Sequence, residues 1–380
     1  MIYLDNSATS FPKPKCVIDA VNEAMLKYGN YGRGSYEMAL KTTEKIYECR
    51  KKVAEFFNSP STDGVVFTSN CTMSINMAIK GLIEKGCHFI ISDLEHNAVV
   101  RPLETLKQKG ICDYSIANVE PCVYKTVQNF EREIKNNTVA IICTGASNVF
   151  GIIPPYSLIG DLAHRYRIKF ILDAAQIAGV RKINMINDNI DILCCAGHKG
   201  LYGPTGIGLL VFNDDVVVLN TIIEGGTGSI SSSYLQPDFL PDKLESGTPN
   251  IVGIIGLSSA IDFINKIGVD NIFKHEKTLI KYLYKNISKN RNINVYTNHL
   301  DVNKPLVPIL SLNIKDYDSN KVSELLGDDG ICVRAGYHCA PLAHKKFKTE
   351  NLGVIRISPS IFTKKNQIDF TINSLFKIAK

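Results

Sequence analysis

Short apolar runs alternate with helical patterns along residues 64–212. The runs GVVFTS, HFIIS, VAIICTG and KFILD are rich in β-branched residues, and the stretches between them have helical spacing from near Thr72, Asn97 and Ser157. Strands that alternate with helices are typical of βαβ units, in which helices cover both faces of a mostly parallel sheet. The pattern therefore predicts the α/β fold class.

Helical patterns also flank this region on both sides. Before it, residues 14–57 form two helical patterns that break at GNYGRG, whose glycines permit a sharp turn. After about Ile251, two long helical patterns lead into LVPILSLNI, a helix near Ser319, GICVRAG, GVIRISP and a final amphipathic helix. That order is typical of a small α+β domain.

Two domains are predicted from this organisation, and 380 residues are enough to bury two cores. A large domain is expected over residues 1–250, with a helical segment over about 1–60 packed against it. The small domain is expected over residues 251–380. Residues 229–242, rich in Ser and Pro, are predicted to form a long surface loop.

The composition favours an ordinary globular protein, with 45% hydrophobic and 21% charged residues. The net charge of +6 comes from scattered basic residues, which gives little support for a nucleic-acid or membrane partner. Eleven irregularly spaced cysteines indicate reduced thiols and no disulfide framework. The N-terminus has no signal-like pattern, and no apolar run approaches the ~20 residues of a membrane span. We expect a cytoplasmic protein without a metal site.

A lysine lies in a glycine-rich segment, CAGHKGLYGPTGIG, after the strand-like run DILCCA. There the amine of Lys199 can contact a bound ligand. The alternatives are a phosphate-binding loop and a plain surface lysine. A nucleotide P-loop has Gly before the Lys and Ser or Thr after it, whereas Lys199 precedes Gly200.

Two further polar residues follow predicted strands. Asp173 ends KFILD and His96 comes shortly after HFIIS. Ligands of open α/β sheets bind beyond the carboxyl ends of strands, where a carboxylate can hold a pyridinium nitrogen protonated and an imidazole can stack on an aromatic cofactor. The alternatives are a helix N-cap for Asp173 and a satisfied polar residue for His96.

The segment VRAGYHCAPLAH gives the strongest local signal for chemistry. Cys339 lies there in a loop-like stretch with Arg334, His338 and His344 nearby. Neighbouring positive charge lowers the pKa of a thiol, and the thiolate is the nucleophile. The alternative is one more buried thiol, but buried thiols usually lie in apolar runs such as the one around Cys143.

Taken together, these segments resemble the cysteine desulfurase and selenocysteine lyase family, in the group whose catalytic loop reads R-x-G-x-H-C-A. This family belongs to the class V aminotransferases, which are fold type I pyridoxal phosphate enzymes. The likeness runs nearly end to end, through YLDNSAT, NYGRGSYEMA, TSNCTMSIN, EHNAV, SNVFG, LDAAQ, GHKGLYGPTGIG, ESGTPN, RAGYHCA and VIRISP.

The resemblance implies a role for each matching residue. Lys199 is expected to hold pyridoxal 5'-phosphate covalently, His96 to stack on its ring, and Cys339 to accept sulfur. The other implied contacts are Asp173 at the ring nitrogen, Gln176 at the phenolic oxygen, Thr72 and His198 at the phosphate, Thr248 at the phosphate of a neighbouring subunit, Arg356 at the substrate carboxylate, and Asn148 and Arg334 elsewhere in the substrate site.

The implied function is conversion of L-cysteine to L-alanine by a homodimer, with a persulfide on Cys339 and sulfur transfer to an acceptor protein. The alternatives are a selenocysteine lyase acting on L-selenocysteine, another lyase or aminotransferase with the same cofactor, and a scaffold without catalysis. Two departures from the family stand out. Ala196 replaces the usual serine before Gly-His-Lys, and residues 341–344 differ from the best-known members.

Overall fold

One large sheet organises the first two thirds of the chain. The computed structural model describes residues 1–32, 34–213, 219–301 and 305–380. Within these ranges the sheet has seven strands in the order β2-β8-β7-β6-β5-β3-β4, and only β8 is antiparallel to its neighbours. The strands are β2 (Val65–Thr68), β3 (Cys87–Ser92), β4 (Cys112–Ala117), β5 (Thr138–Thr144), β6 (Lys169–Asp173), β7 (Ile192–Ala196) and β8 (Gly208–Phe212).

The central strands β5, β6 and β7 have apolar interiors, with polar residues only at the ends of β5 and β6, because both faces of the sheet are covered. In β6, Phe170 and Leu172 belong to the hydrophobic cluster on one face, and Ile171 belongs to the cluster on the other. Helices α1 (Lys15–Lys27), α2 (Glu37–Phe57), α5 (Val123–Arg132), α6 (Tyr156–Arg165) and α7 (Ile251–Ile267) share the first cluster, and α3 (Cys71–Gly81) and α4 (Asn97–Gln108) share the second. This arrangement confirms the predicted α/β class.

A second, antiparallel sheet lies in the C-terminal part of the chain, in the order β12-β13-β10-β9. Its core is shared with the three helices α8, α9 and α11. The elements are α8 (Val269–Ile287), β9 (Ile293–Val295), β10 (Leu310–Ile314), α9 (Ser319–Asp328), β12 (Arg334–Gly336), β13 (Val354–Ile357) and α11 (Lys365–Ile378).

Three features of the fold were not predicted from the sequence. The N-terminal strand β1 (Ile2–Tyr3) pairs in parallel with β11 (Ile331–Cys332), and α7 packs in the core of the large sheet. Helix α10 (Pro341–Phe347) begins where the sequence suggested a loop, with proline at a first-turn position that needs no N–H. The division into domains near residue 250 stays a prediction. Arg33, in the predicted GNYGRG turn, lies outside the described residues.

No single helix in the described ranges has the length and hydropathy of a membrane span. Helices α7 and α8 satisfy that criterion only as a pair, and they are bent by 76° at the residue between them.

The parallel strands bring polar residues to one edge of the large sheet. Thr144 at the end of β5 is in register with Asp173 at the end of β6, and β3 ends beside them at Ser92. Carboxyl ends of parallel strands are the usual ligand-binding edge of such sheets. This edge is therefore where a site is expected.

We expect Gly179→Ala to destabilise the fold strongly. Gly179 has φ +79°, and an added Cβ would lie 2.1 Å from the carbonyl oxygen of Gly200. Gly86 also has φ +79° but has nothing within 4 Å of such a Cβ, so Gly86→Ala is the matched control. The control should lose about 1 kcal/mol of unfolding free energy from the left-handed backbone alone, and Gly179→Ala about 3 kcal/mol or more because strain and collision add. Equal losses in urea denaturation would contradict this assignment.

Candidate active site

A polar pocket of about 500 Å³ opens at the carboxyl ends of β5 and β6. It brings together seven of the residues predicted from the sequence, which are Thr72, His96, Asn148, Asp173, Gln176, His198 and Lys199. The remaining lining residues are Asn70, Cys71, Ile75, Ala98, Thr144, Ala175 and Ala196. The sequence therefore located half of the residues that line this pocket.

Asp173 presents one carboxylate oxygen to the pocket. Its Oδ1 accepts a hydrogen bond from the backbone N–H of Ala175 at 2.9 Å and one from the Cys71 thiol at 3.5 Å. Among the described residues, no donor reaches Oδ2. The carboxylate is thus fixed through one oxygen, and the other is available to a ligand.

Lys199 lies in the loop after β7, and this loop is held by the N-terminal segment. The carbonyl oxygen of His198 accepts hydrogen bonds from the backbone N–H of Ser10 at 3.0 Å, Thr9 Oγ1 at 3.1 Å and Lys13 Nζ at 2.8 Å. Burial lowers the pKa of the Lys199 amine. The peptide before Lys199 is therefore fixed, and its amine is biased toward the neutral, nucleophilic form.

His96 caps α4 and also faces the pocket. Its Nδ1 accepts a hydrogen bond from the backbone N–H of Ala98 at 3.0 Å. Burial lowers the pKa of His96 to about 4. At neutral pH the imidazole is therefore uncharged and carries its proton on Nε2, because Nδ1 is the acceptor. His96 is therefore both a satisfied polar residue, through this cap, and a residue of the pocket.

One end of the pocket is suited to an anion. Helix α3 begins there, with its first turn capped by the Asn70 side chain, which accepts a hydrogen bond from Met73 N at 2.9 Å. Thr72 lies in that first turn, and the buried Nδ1 of His198 has no partner within the described part of the chain. A helix N-terminus with a nearby unused imidazole nitrogen is a typical phosphate site.

The predicted substrate arginine is buried and partly paired. Nη2 of Arg356 contacts Asp5 Oδ1 at 2.6 Å, and Nη1 donates to the carbonyl oxygen of Asn148 at 3.0 Å. Its Nε and the side-chain oxygen of Asn148 are both buried without a partner in the described ranges. Arg334 lies directly opposite Arg356 in the β12–β13 register. This end of the site is positively charged.

Cys339 is held against the N-terminus of α4. Its carbonyl oxygen accepts a hydrogen bond from Asn97 N at 2.7 Å, and the carbonyl of His338 accepts one from Asn148 Nδ2 at 2.6 Å. His338 and Cys339 both have left-handed backbones, with φ of 48° and 57°. The half-buried Cys339 lines a groove together with His96 and Thr72. The structure thus brings Cys339 to a groove that adjoins the pocket.

Two histidines near Cys339 do not supply the positive charge that the sequence suggested. His338 Nε2 donates to the Val354 carbonyl at 3.0 Å, and burial lowers its pKa to about 2. Burial also lowers the pKa of His344, whose Nδ1 lies 2.7 Å from Thr349 Oγ1. Both are neutral at physiological pH, so that part of the thiolate argument was wrong. Of Arg334, His338 and His344, Arg334 alone carries a positive charge.

An ion pair anchors the helix that follows Cys339. Lys346 in α10 contacts Asp93 Oδ2 at 2.6 Å and donates to the Val119 carbonyl at 2.6 Å. Asp93 in turn accepts from Val119 N at 3.1 Å. Phe347 stacks on Phe150 at 3.8 Å between ring centroids. These contacts hold α10, and with it Cys339, against the large sheet.

Of two residues predicted to bind the cofactor, Gln176 lies in the pocket and Thr248 lies elsewhere. Gln176 lines the pocket, with its Nε2 donating to the Ser7 carbonyl at 3.1 Å. Thr248 is exposed and lines a separate surface pocket with Ser69 and Gly247. The structure of one chain therefore does not bring Thr248 to the other site residues.

Sequence reasoning missed one pocket residue, Cys71, and a buried carboxyl, Glu95, that contacts the pocket residue Thr144. Cys71, counted with the other cysteines as a reduced thiol, is a pocket residue that contacts Asp173; its place directly after an N-cap residue in TSNCTM was the available signal. Glu95 accepts hydrogen bonds from Thr144 N at 2.7 Å and Ser92 Oγ at 2.5 Å, and burial raises its pKa to about 8. Glu95 is therefore mostly protonated at neutral pH, and no sequence signal indicated this.

A second polar chamber adjoins Lys199 on the side of the small sheet. Glu276 of α8 lines it and accepts a hydrogen bond from the Tyr202 hydroxyl at 3.1 Å. Burial raises the pKa of Glu276 to about 8. This carboxyl is therefore mostly protonated in the folded protein at neutral pH.

Comparisons with known proteins agree with this geometry. The profile of the family described as aminotransferase class-V matches residues 2–370. A protein named probable cysteine desulfurase from Methanothermobacter thermautotrophicus is 33% identical over 386 residues, which cover 100% of this chain and 94% of that protein. A cysteine desulfurase from Wigglesworthia glossinidia brevipalpis is 31% identical, with 100% and 93% covered. The apo structure of the cysteine desulfurase from Thermococcus onnurineus NA1 superposes with a TM-score of 0.88 at 29% identity, and the match covers 100% of this chain and 94% of that one.

We expect Lys346→Met to loosen the Cys339 segment. The substitution removes a largely buried contact to Asp93 and should cost about 2 kcal/mol of unfolding free energy. Alkylation of Cys339 by iodoacetamide, followed by peptide mass spectrometry, should become faster. Lys345→Met, at the exposed neighbouring position, is the control and should change neither quantity. Unchanged alkylation in Lys346→Met would show that the ion pair does not hold Cys339.

Glu276 predicts a stability change at alkaline pH. Its folded pKa lies above the unfolded value, so its contribution is complete below the unfolded pKa and is lost as pH rises through the folded pKa of about 8. From pH 7 to 9 this loss is about 1.4 kcal/mol. Glu276→Gln keeps the acceptor for Tyr202 but does not titrate, so its unfolding free energy, measured in urea, should fall less from pH 7 to 9 than that of the wild type. The control is Glu55→Gln, at an exposed position, which should behave as the wild type. If the unfolding free energies of the two variants fell equally, the assignment would be refuted.

Proposed function

Since the chain belongs to the class-V aminotransferase family and, within it, to the cysteine desulfurases, we propose how its residues take sulfur from L-cysteine. L-Cysteine is converted to L-alanine, and Cys339 receives the sulfur as a persulfide that passes to an acceptor protein. The observation that carries this proposal is the position of Cys339 beside the pocket that contains Lys199. The carbonyl oxygen of Cys339 accepts a hydrogen bond from the N-terminus of α4, which holds the residue there.

The pocket fits pyridoxal 5'-phosphate, the cofactor of this family. When bound, the cofactor supplies an electron sink for bond breaking at the α-carbon of an amino acid. Asp173 Oδ2 is available for the ring nitrogen, and His198 Nδ1 and the first turn of α3 with Thr72 are available for the phosphate. Ala196 contributes no hydroxyl where most relatives have one, which predicts a weaker hold on the phosphate.

Lys199 acts as the cofactor-bearing lysine and as the base. Its lowered pKa favours the free amine, which can take a proton from the substrate α-carbon. His96 lies beside the cofactor position as a neutral imidazole with its proton on Nε2, so it can donate a hydrogen bond or a proton without carrying a charge. Gln176 is available from the pocket wall.

The positive end of the site orients the substrate. The Nε of Arg356 and the side-chain oxygen of Asn148 are buried without partners in the described ranges, which suits a carboxylate and an ammonium group. Arg334 adds a second cation across the strand pair. With its carboxylate held there, the substrate can direct its thiol toward Cys339 at the pocket mouth.

The sulfur step uses Cys339 as nucleophile. Its thiolate sulfur forms a bond with the substrate sulfur while the substrate carbon–sulfur bond breaks, and the remaining carbon skeleton leaves as alanine after protonation. A transaminase needs no thiol at this position. L-Selenocysteine, whose selenium is a better leaving group, is the second substrate to test.

A homodimer is part of this proposal. Thr248 is exposed, as expected of a residue that reaches the phosphate of a neighbouring subunit. The segment around it also exposes large apolar side chains, which are Ile223, Ile230, Tyr234, Leu235 and Phe239. A second copy of the chain would cover such side chains.

Cys339→Ala should abolish sulfur release but leave the cofactor in place. With cysteine and a reductant, the wild type should release alanine and sulfide in equal amounts, and the variant at least about 100-fold less of both while keeping the cofactor colour. Cys122→Ala, which removes another exposed thiol, is the matched control and should behave as wild type. Equal activity of Cys339→Ala would exclude Cys339 as the acceptor. Inactivity of the coloured wild type toward cysteine would move the test to selenocysteine.

A further inference from the structure

A groove of about 860 Å³ runs from Cys339 along the helices α3 and α4. It shares Thr72, His96 and Ala98 with the pocket of the candidate active site. The other residues that line the groove are Asn76, Lys80, Asn97, Arg101, Pro102, Thr105, Leu106, Lys109 and Cys339. The groove is therefore an approach to the pocket mouth from the helix surface.

The polar residues of the groove recur at four-residue intervals. Asn97, Arg101, Thr105 and Lys109 form such a row along α4 and its C-cap, and Thr72, Asn76 and Lys80 form one along α3. Residues spaced by four lie on one helix face, and twelve residues of helix extend about 18 Å. An extended segment of about five or six residues has the same length.

The groove carries positive charge without a compensating carboxylate. Lys80, Arg101 and Lys109 line it, and no Asp or Glu does so in the ranges that the structure describes. None of these three residues forms an ion pair with another described residue, whereas Lys107 on a different face of α4 pairs with Asp113 at 2.8 Å. Such a surface attracts anionic groups and raises their rate of association.

The anchoring of Cys339 determines where sulfur is collected. Asn97 N, Asn148 Nδ2 and the ion pair of Lys346 hold its segment in place. Because Cys339 is held at the end of the groove, the thiol of an acceptor has to reach it there. Small neutral thiols need no charge for this approach, whereas a segment of a larger acceptor has room to lie along the groove.

We propose that the groove of α3 and α4 binds an acidic, extended segment of the sulfur-acceptor protein and guides its thiol to Cys339. This inference rests on the proposed function, because it requires a persulfide on Cys339. The acceptor thiolate attacks the terminal sulfur of the persulfide and forms a new sulfur–sulfur bond. The bond to Cys339 breaks and its electron pair stays on Cys339 as a thiolate, so no oxidant or reductant is consumed.

Peptides that differ only in charge test the proposal. Each has one cysteine followed by four glutamates, four glutamines or four lysines. The purified protein is first mixed with one equivalent of cysteine without reductant, and alanine is measured to establish that the persulfide has formed. Transfer of sulfur to each peptide is then followed by mass spectrometry at low salt. The glutamate peptide should react at least about tenfold faster than the glutamine peptide, and the lysine peptide slowest.

The double variant Lys80→Gln and Lys109→Gln should slow transfer to the glutamate peptide by about tenfold. Its alanine yield and its transfer to the glutamine peptide should not change. The matched control is Lys51→Gln with Lys285→Gln, which removes two exposed lysines of α2 and α8 outside the groove.

The outcomes separate the two proposals. Absence of alanine from the wild type would refute the proposed function before any transfer is measured. Normal alanine formation with equal transfer to all three peptides, or with transfer unaffected by the double variant, would overturn the acidic-segment proposal. Inhibition of transfer by an oligoribonucleotide, with none by a cysteine-free glutamate peptide, would assign the groove to nucleic acid and would also overturn it.

Discussion

The hydrogen bond from Asn97 N to the Cys339 carbonyl joins the two parts of this site. The pocket is built by the large sheet, whereas Cys339 comes from the C-terminal part of the chain. The same helix N-terminus presents His96 to the pocket, so one end of α4 positions both the imidazole and the sulfur residue. Two consecutive left-handed residues cost about 1 kcal/mol or more each. The contacts of Asn148, His338 and Lys346 offset this strain.

Burial leaves several titratable side chains in and near the pocket uncharged. His96, His198 and His338 have lowered pKa values and Glu95 a raised one, all mainly because of desolvation. Asp173 lines the pocket with Oδ2 open, whereas Arg334 and Arg356 lie opposite each other in the β12–β13 pair, where Arg356 bonds the carbonyl of the pocket residue Asn148. A cationic ring nitrogen and the carboxylate of an amino acid therefore have different partners to bind.

The sequence was a good guide to whatever depends on local pattern. Asp173 and His96 follow apolar runs, and parallel strands with in-register ends place such residues together. Tertiary contacts were not accessible in this way. The left-handed backbone of Cys339, the pairing of Arg356 with Asp5 and the neutrality of His338 and His344 depend on groups distant in sequence, or on burial. The contact of Cys71 with Asp173 was missed because a cysteine at a helix start also fits a core position.

The central claim is that sulfur rests on Cys339 between donor and acceptor. The most direct measurement is peptide mass spectrometry of the cofactor-loaded protein after one equivalent of cysteine, without reductant and with rapid alkylation. The account predicts that the peptide with Cys339 gains one sulfur atom, and that the amount equals the alanine formed. Alanine formed while Cys339 gains no sulfur, or with the extra sulfur on another cysteine such as Cys71, would contradict it.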